Sequence, residues 1–244
     1  MDAYEPVTTF DESNAAVYDS LAVRGDEEVA VACLASVAVE GPVVELAIGT
    51  GRIGLPLAAT GLRVDGVDLS RPMVDQLRSK PGGDALRVTI GDFCDVELEE
   101  QYRLIYVVFN SFSNVITQDD QVRAFENVAR HLTDDGVFVM EMYVPSMHVG
   151  LRNDQYVEAE AIGVDEVRLD LLKYDGSTQM LEENHVTLST TGIRFNPVVQ
   201  RAVWPSELDL MARIAGLRLH ARHGGWQQEP FTRKSELHVS VWGR

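Results

Sequence analysis

Three glycines with the spacing Gly49-x-Gly51-x-x-Gly54 follow a short apolar run and precede a segment that is typical of a helix. Glycine lets the backbone approach a ligand closely, and the free N–H groups of a helix start point toward that ligand. A strand, a glycine turn and a helix in this order predict a nucleotide-binding unit. A tight turn without any ligand is the plainer alternative.

Apolar runs alternate with helical patterns from residue 26 to residue 144. The pattern predicts a helix from Asp26, a helix capped by Ser70 and a helix that begins at Thr117. Strands are predicted at 43–47, 63–69, 86–90, 104–109 and, after a turn at 133–136, at 137–144. This alternation indicates an α/β protein with a doubly wound, Rossmann-like sheet.

The alternation of strand and helix patterns ends at Pro145. Strand-like runs at 157–162, 166–174, 180–189 and 193–203 predict an antiparallel β insertion that covers the ligand-binding edge of the sheet. A helix capped by Ser206 and strands at 217–222 and 237–242 then complete the chain. We therefore expect one Rossmann-like domain from 1–144 and 204–244, interrupted by an insertion at 145–203.

The net charge excludes one class of partner. The chain has 21 Lys and Arg against 38 Asp and Glu, a formal charge of −17, and such a surface repels the phosphate backbone of nucleic acids. It contains neither an 18-residue apolar run nor a basic leader followed by an apolar stretch, so we expect no membrane partner and a cytoplasmic protein. Cys33 and Cys94 lie too far apart for a CxxC pair, and no metal site is predicted.

Acidic residues near the glycine turn help to decide which nucleotide binds. Asp68 ends the second strand, nineteen residues after Gly49. There it can accept hydrogen bonds from the ribose hydroxyls of either NAD or S-adenosylmethionine (SAM). Glu45 within the first strand would oppose a diphosphate but suits the ammonium and sulfonium groups of SAM. Asp92 and Phe93 follow the third strand, where an acceptor and a ring can hold adenine. Asp92 as a turn acid is the plainer interpretation.

These motifs occur in a familiar order: Glu45–Gly51, Val64–Ser70, Gly91–Phe93, Leu104–Asn114 and Asp134–Phe138. Together they resemble a class I SAM-dependent methyltransferase. The resemblance implies a seven-stranded sheet with its last strand antiparallel, and SAM lying across the carboxyl ends of strands one to four. The insertion is similar to the covers of small-molecule methyltransferases, including the amino-sugar enzymes of natural-product pathways.

The resemblance also implies the cofactor residues. The predicted set is Tyr18, Glu45, Ala47, Gly49, Gly51, Asp68, Leu69, Gly91, Asp92, Phe93 and Asn110. Within it, Glu45 and the glycines face the methionyl part, Asp68 takes the ribose, and Tyr18 reaches the SAM carboxylate. Many members have glycine where this chain has Ala47, so we expect a slightly shifted turn.

The residues that contact the methyl acceptor are harder to select. Candidate catalytic groups are Glu141, Tyr143 and His148, and candidate substrate contacts are His185, His223 and Trp226. Glu141 as the neutraliser of an arginine and Trp226 as wall packing are the plainer alternatives.

The sequence thus predicts a SAM-dependent methyltransferase acting on O or N of a small molecule, with secondary metabolism as one setting and S-adenosylhomocysteine as the product. An NAD(P)-dependent oxidoreductase and a non-catalytic SAM-binding regulatory protein stay as alternatives. The insertion could also serve as a homodimer contact.

Overall fold

The structure is a computed structural model that describes residues 9–21 and 24–244. Among these residues the α-helices are α1 (Glu12–Ala15), α2 (Tyr18–Leu21), α3 (Glu27–Ala38), α4 (Gly54–Ala59), α5 (Arg71–Ser79), α6 (Gln118–His131) and α7 (Pro205–Ile214). The strands are β1 (Val43–Leu46), β2 (Val64–Asp68), β3 (Arg87–Ile90), β4 (Tyr102–Val107), β5 (Leu132–Tyr143), β6 (Gln155–Ile162), β7 (Glu166–Asp175), β8 (Met180–Ser189), β9 (Gly192–Arg201), β10 (Arg218–His223) and β11 (Leu237–Gly243).

The larger sheet has the strand order β10-β11-β5-β4-β1-β2-β3. Strands β1 to β5 pair in parallel, and β11 runs antiparallel to both β5 and β10. The predicted Rossmann-like sheet with an antiparallel last strand is therefore confirmed. Since β1 has β4 on one side and β2 on the other, the glycine turn after β1 lies at the switch point where such sheets bind ligands.

Both faces of this sheet are covered by helices, which is why its central strands β1, β2 and β4 are almost wholly buried. On one face Phe125 of α6 packs edge to face against Phe138 and Trp242, with ring centroids 5.4 and 5.6 Å apart. On the other face Leu34 of α3 and Leu57 of α4 are fully buried against the strands. This packing holds the carboxyl edge of the sheet rigidly beneath the site.

Two local predictions are wrong. Residues 133–136 belong to β5, because the strand resumes pairing with β4 after an irregularity opposite Arg103 rather than leaving the sheet in a turn. Ser206 does not cap α7, because the helix already begins at Pro205 and Ser206 lies inside it. Trp204 occupies the cap position and makes no side-chain cap hydrogen bond. Proline at a first helical position supplies the right φ by itself. Ser70 does cap α5, where its hydroxyl accepts the N–H of Met73.

The insertion forms a separate four-stranded antiparallel sheet with the order β6-β7-β8-β9. Its hairpin turns lie at Asp175–Gly176 and next to Gly192, as predicted. One face carries exposed apolar side chains, including Val157, Ile193 and Phe195. The division of the chain into domains with boundaries at 145 and 203 stays a prediction.

His238 on β11 gives the fold a testable pH dependence. Its Nδ1 lies 2.8 Å from Ser240 Oγ, and burial, reinforced by the charge of Arg222, lowers the pKa of His238 to about 3. The unfolded chain binds this proton near pH ~6.5, so the free energy of unfolding falls as the pH drops from there toward 3. Between about pH 6 and pH 5, urea unfolding of His238→Gln should therefore lose about 1 kcal/mol less than the wild type.

The control is His220→Gln, on exposed β10, which should keep the wild-type loss. An equal loss of stability in His238→Gln and the wild type would contradict this account of His238.

Candidate cofactor and active site

The glycine turn joins β1 to α4 at the carboxyl edge of the sheet. Gly49 and Gly51 have positive φ values of 56° and 76°, which glycine adopts without strain. Gly54 has a different purpose, because a Cβ there would lie 2.7 Å from Glu45 Oε2. Ala47 also has a positive φ, 55°, which costs an alanine about 1–2 kcal/mol. The backbone conformation therefore explains why glycine is expected at position 47.

A cavity of about 840 Å³, including the open space at its mouth, lies against this turn. Seven predicted cofactor residues line it: Tyr18, Glu45, Ala47, Gly49, Asp68, Leu69 and Phe93. None of the other four lines the cavity: Gly51, Asp92 and Asn110 are next to lining residues in the chain, and Gly91 is two residues from Phe93.

Glu45 is 2% exposed and lines the cavity. Its Oε2 accepts the hydroxyl of Tyr106 at 2.8 Å. Burial raises the pKa of Glu45 to about 8; the Tyr106 hydrogen bond opposes this shift and the charge of Asp68 adds to it. A positive charge in the cavity would favour the ionised form of this carboxyl group. The site is therefore suited to a ligand that carries a cation next to β1.

Asp68 fixes the turn on the other side of the cavity. Its Oδ2 accepts the N–H of Gly49 at 2.6 Å and its Oδ1 accepts the N–H of Ser70 at 2.7 Å. Burial raises its pKa, and the backbone N–H groups oppose that shift. Each carboxylate oxygen has a second lone pair, so Asp68 can still accept a ligand hydroxyl while it holds the glycine turn against the start of α5.

The side of the cavity nearest β3 is apolar. Phe93 lines it and stacks on Phe112 with the ring planes 19° apart. Asp92 is exposed, and its Oδ1 accepts the N–H of Cys94 at 2.8 Å. That contact is the plainer role of a turn acid, and a role of Asp92 toward adenine stays a prediction.

Arg52 is a lining residue that the sequence reasoning missed. Its guanidinium carbon lies 4.9 Å from the ring centre of Tyr18 and 4.7 Å from that of Phe109. A guanidinium held between two aromatic rings is a well-placed partner for a carboxylate. Its position directly after Gly51, inside the turn, was the available signal. Other unpredicted lining residues include Phe10, Thr50, Ile53, Ser70, Met73, Ser111 and Asn114.

The rim beside β4 and β5 is held by polar contacts. Asn110 has a positive φ of 62°, and its Oδ1 accepts the N–H of Tyr143 at 3.0 Å. Buried Glu141 pairs through Oε1 with Arg24 at 2.5 Å and accepts the N–H of Phe109 through Oε2 at 3.0 Å. Burial raises the pKa of Glu141, and Arg24 opposes the shift. These contacts favour the plainer interpretation, in which Glu141 neutralises an arginine and positions Phe109.

The remaining acceptor candidates separate into two groups. His148 and His185 both lie near carboxylates of the insertion sheet. Trp226 is 5% exposed and packs in the core with Leu34, and His223 forms a bridge to Pro230. None of these four residues lines the cavity, and the core position of Trp226 favours wall packing.

The N-terminal segment lies between the cavity and the insertion sheet. Ser70 Oγ donates to the carbonyl of Phe10 at 2.6 Å, and Asn14 Nδ2 donates to Asn196 Oδ1 on β9 at 2.8 Å. Asp19 accepts the hydroxyl of Thr50. These contacts tie residues 9–21 to the glycine turn, to α5 and to β9, so the described part of the N-terminal segment and the insertion both cover the ligand-binding edge.

Comparisons with known proteins agree with this geometry. Residues 43–136 match the protein family described as a methyltransferase domain. The structure of the CcbJ methyltransferase from Streptomyces caelestis aligns with a TM-score of 0.91 and 33% identity over 98% of this chain and 99% of that one.

Two further relatives extend the comparison. The cypemycin N-terminal methyltransferase of a Streptomyces species is 29% identical over 205 residues, which is 83% of this chain and 82% of that protein. SAM-bound CalS10, an amino pentose methyltransferase from Micromonospora echinaspora, shares the fold with a TM-score of 0.69 and 20% identity over 99% of this chain and 98% of its own.

A sheet of this topology, with acids on β1 and β2 flanking a glycine turn, defines the class I SAM-dependent methyltransferases. With 33% identity to CcbJ over nearly its whole length, the chain belongs to this family, SAM is its methyl donor, and S-adenosylhomocysteine is its product. The two alternatives, a nicotinamide-dependent oxidoreductase and a non-catalytic SAM-binding protein, are not supported. Within residues 9–21 and 24–244, the helices are all too short or too polar for a membrane span.

Removing the Asp68 carboxylate should weaken SAM binding. A hydrogen bond to a charged group contributes about 1.5–3 kcal/mol, so Asp68→Ala should raise the Kd of SAM roughly 10- to 150-fold. Isothermal calorimetry measures this directly. The matched control is Asp75→Ala, at an exposed position of α5. Unchanged SAM affinity in folded Asp68→Ala would refute the role of Asp68.

Glu45 should release its proton when a cationic cofactor binds. With its pKa raised to about 8 by burial, Glu45 is mostly protonated at about pH 7, and a nearby positive charge favours ionisation. Calorimetry in two buffers of different ionisation enthalpy should show more protons released by the wild type than by Glu45→Gln. The difference should vanish near pH ~10, where Glu45 is already ionised. Identical proton release by both proteins at about pH 7 would exclude this coupling.

Proposed function

We propose that this methyltransferase acts on a small molecule that binds at the mouth of the cavity, between the segment after β4 and the insertion sheet. The observation that carries the proposal is the cover formed by residues 9–21 and β9 over the ligand-binding edge. The formal charge of −17 also argues against a nucleic acid acceptor.

The acceptor atom of this proposal is nitrogen or oxygen, and the residues of the site favour nitrogen. SAM supplies a methyl group already activated by its sulfonium. A hydroxyl acceptor needs a general base next to it, whereas a neutral amine needs mainly orientation. The carboxylates of Glu45, Asp68 and Glu141 already hold protein groups. The N terminus named for the cypemycin methyltransferase is an amine as well.

The same proposal assigns the cofactor contacts. Glu45 faces the methionyl cation, Arg52 and Tyr18 receive the methionyl carboxylate, and Asp68 holds the ribose. Phe93 and Leu69 enclose the adenine. The four predicted cofactor residues that do not line the cavity contribute to SAM binding through their backbone or from the rim of the cavity. They are Gly51, Gly91, Asp92 and Asn110.

Location and assembly belong to the proposal too. A cytoplasmic enzyme is consistent with the use of SAM as methyl donor. A homodimer would cover the apolar outer face of the insertion sheet, where Val157, Ile193 and Phe195 are each more than 60% exposed.

A paired acceptor screen tests the choice of nitrogen. Purified protein and SAM are mixed with benzylamine or benzyl alcohol, glucosamine or glucose, and a peptide with a free or an acetylated N terminus. We expect S-adenosylhomocysteine and a methylated product with members of the amine set, and a rate roughly 10²-fold lower or more with each matched partner, because a neutral hydroxyl is a much poorer nucleophile than an amine and depends more strongly on a precisely placed base. Mass spectrometry identifies the product.

Asp68→Ala, which is impaired in SAM binding, serves as the negative control for that screen. Methylation of the hydroxyl compounds alone would overturn the nitrogen assignment. If no S-adenosylhomocysteine forms with either set, these acceptor classes are rejected.

A further inference from the structure

Three carboxylates and one histidine meet on the insertion sheet, and we name them the insertion acid cluster: Glu160, Asp170, Glu183 and His185. His185 Nδ1 lies 2.7 Å from Glu160 and 4.0 Å from Asp170, and its Nε2 lies 4.0 Å from Glu183. One imidazolium can neutralise at most one of three carboxylates. Within the described chain, no Lys or Arg pairs with these acids, so the cluster keeps excess negative charge.

The cluster lies on the face of the insertion sheet that is turned toward the N-terminal segment. Asp170, His185 and Asn196 are direct neighbours across β7, β8 and β9, and directly paired residues place their side chains on the same face. Asn196 on that face accepts a hydrogen bond from Asn14 of α1. The insertion acid cluster therefore faces the covered side of the sheet and not the apolar outer face.

Groups from the Rossmann-like sheet approach the cluster from the opposite side. The charge of Glu183 contributes to the raised pKa of Tyr143, which burial raises first, at the end of β5. Burial lowers the pKa of His148, and the charge of Asp170 opposes that shift. The ring centre of His148 lies 5.8 Å from that of Tyr174 on β7, and Tyr143 and His148 line one small recess together with Leu181 of β8. The cluster therefore lies across the cleft from Tyr143 and His148, the rim where the acceptor is proposed to bind.

Two buried polar atoms at this cleft lack a hydrogen-bond partner among the described residues. One is Nδ1 of His148, a side chain that is 9% exposed, and the other is Oδ1 of Asp170. They come from different elements, the turn after β5 and β7. Unpaired buried polar atoms are costly, so their position beside an excess of negative charge points to a ligand that donates hydrogen bonds and carries a positive charge.

Asp170 and Glu183 form a pair that can exchange a proton. Tyr156 donates its hydroxyl to Asp170 Oδ2 at 2.7 Å, and protonated Glu183 can donate to Asp170. Burial, followed by the charge of Asp170, raises the pKa of Glu183 to about 7. A carboxyl group with such a pKa can accept and release a proton near neutral pH.

We propose that the insertion acid cluster binds the protonated amine of the methyl acceptor and takes its proton before methyl transfer. This inference rests on the proposed function. The ammonium gives one proton to the Asp170–Glu183 pair; the free amine nitrogen then forms a bond to the methyl carbon as the sulfur–carbon bond breaks. The methylated product leaves as an ammonium ion with its remaining N–H bonds, and the proton on the carboxyl pair passes to water.

Binding of a simple ammonium ion tests the cluster without knowledge of the natural acceptor. The probe is benzylammonium, with benzyl alcohol as the neutral match, added to protein saturated with S-adenosylhomocysteine. Benzylammonium should shift the imidazole ¹⁵N resonances of His148 and His185, and benzyl alcohol should bind at least tenfold more weakly. The double variant Asp170→Asn/Glu183→Gln should bind benzylammonium at least tenfold more weakly than the wild type.

The matched control is Glu182→Gln, which removes the same charge from the other face of β8, where Glu182 pairs with Lys173. It should bind benzylammonium as the wild type does. Equal binding of the alcohol, unchanged binding by the double variant, or no detectable binding would each overturn the proposal. Micromolar binding of Mn²⁺ that displaces benzylammonium would also overturn it in favour of a metal site, because ligand atoms of Asp170, Glu183 and His185 lie within 4.8 Å of one another.

A kinetic readout separates proton removal from a structural role. With an amine found in the acceptor screen, the double variant should lose kcat near neutral pH and regain it above the pKa of the amine, where the free base is abundant. A loss that persists at high pH would indicate a structural role. Ammonium binding without methylation of any amine would instead reject the proposed function and leave the cation subsite in place.

Discussion

The cofactor end of this protein depends on one buried carboxylate, that of Glu45 on the central strand β1. Tyr106 of β4 hydrogen-bonds to it, and the absence of a Cβ at Gly54 makes room for it at the start of α4. Burial of an acid is unfavourable, as its pKa of about 8 reflects. A cationic cofactor offsets that cost, so the same contact that strains the unliganded site favours SAM over a nucleotide diphosphate.

Around this carboxylate, polar side chains hold the backbone in place and thereby shape the cavity. Asp68 ties Gly49 to Ser70, and Glu141 ties Phe109 to Arg24. Since in-line methyl transfer depends mainly on the placement of the reacting atoms, a rigid edge of this kind contributes directly to catalysis. The acids of the insertion lie on the other side of the cleft, where they can act on the acceptor rather than on the cofactor.

Much of the fold could be predicted from local patterns, and the exceptions have physical reasons. Alternating apolar runs and helical stripes located β1 to β5, and the hairpin turns located β6 to β9. The prediction of a turn at residues 133–136 was wrong because the strand resumes its pairing with β4 beyond these residues. The prediction of Ser206 as a helix cap was wrong because α7 already begins at Pro205. Arg52 was missed because its role depends on Tyr18 and Phe109, which are far from it in the chain.

The sequence by itself determined the parallel sheet, the glycine turn and the acids beside it, because spacing and hydrophobic period are local properties that a chain expresses before it folds. Through Glu45 and Asp68 it also favoured a ligand with a cation and hydroxyls, while the nicotinamide-dependent alternative stayed open. Only the tertiary structure decided which distant groups meet at the acceptor cleft. Asp170 and Glu183 come from one hairpin of the insertion and His148 from the turn after β5, and the packing of that turn against β7, which no local pattern encodes, brings them together.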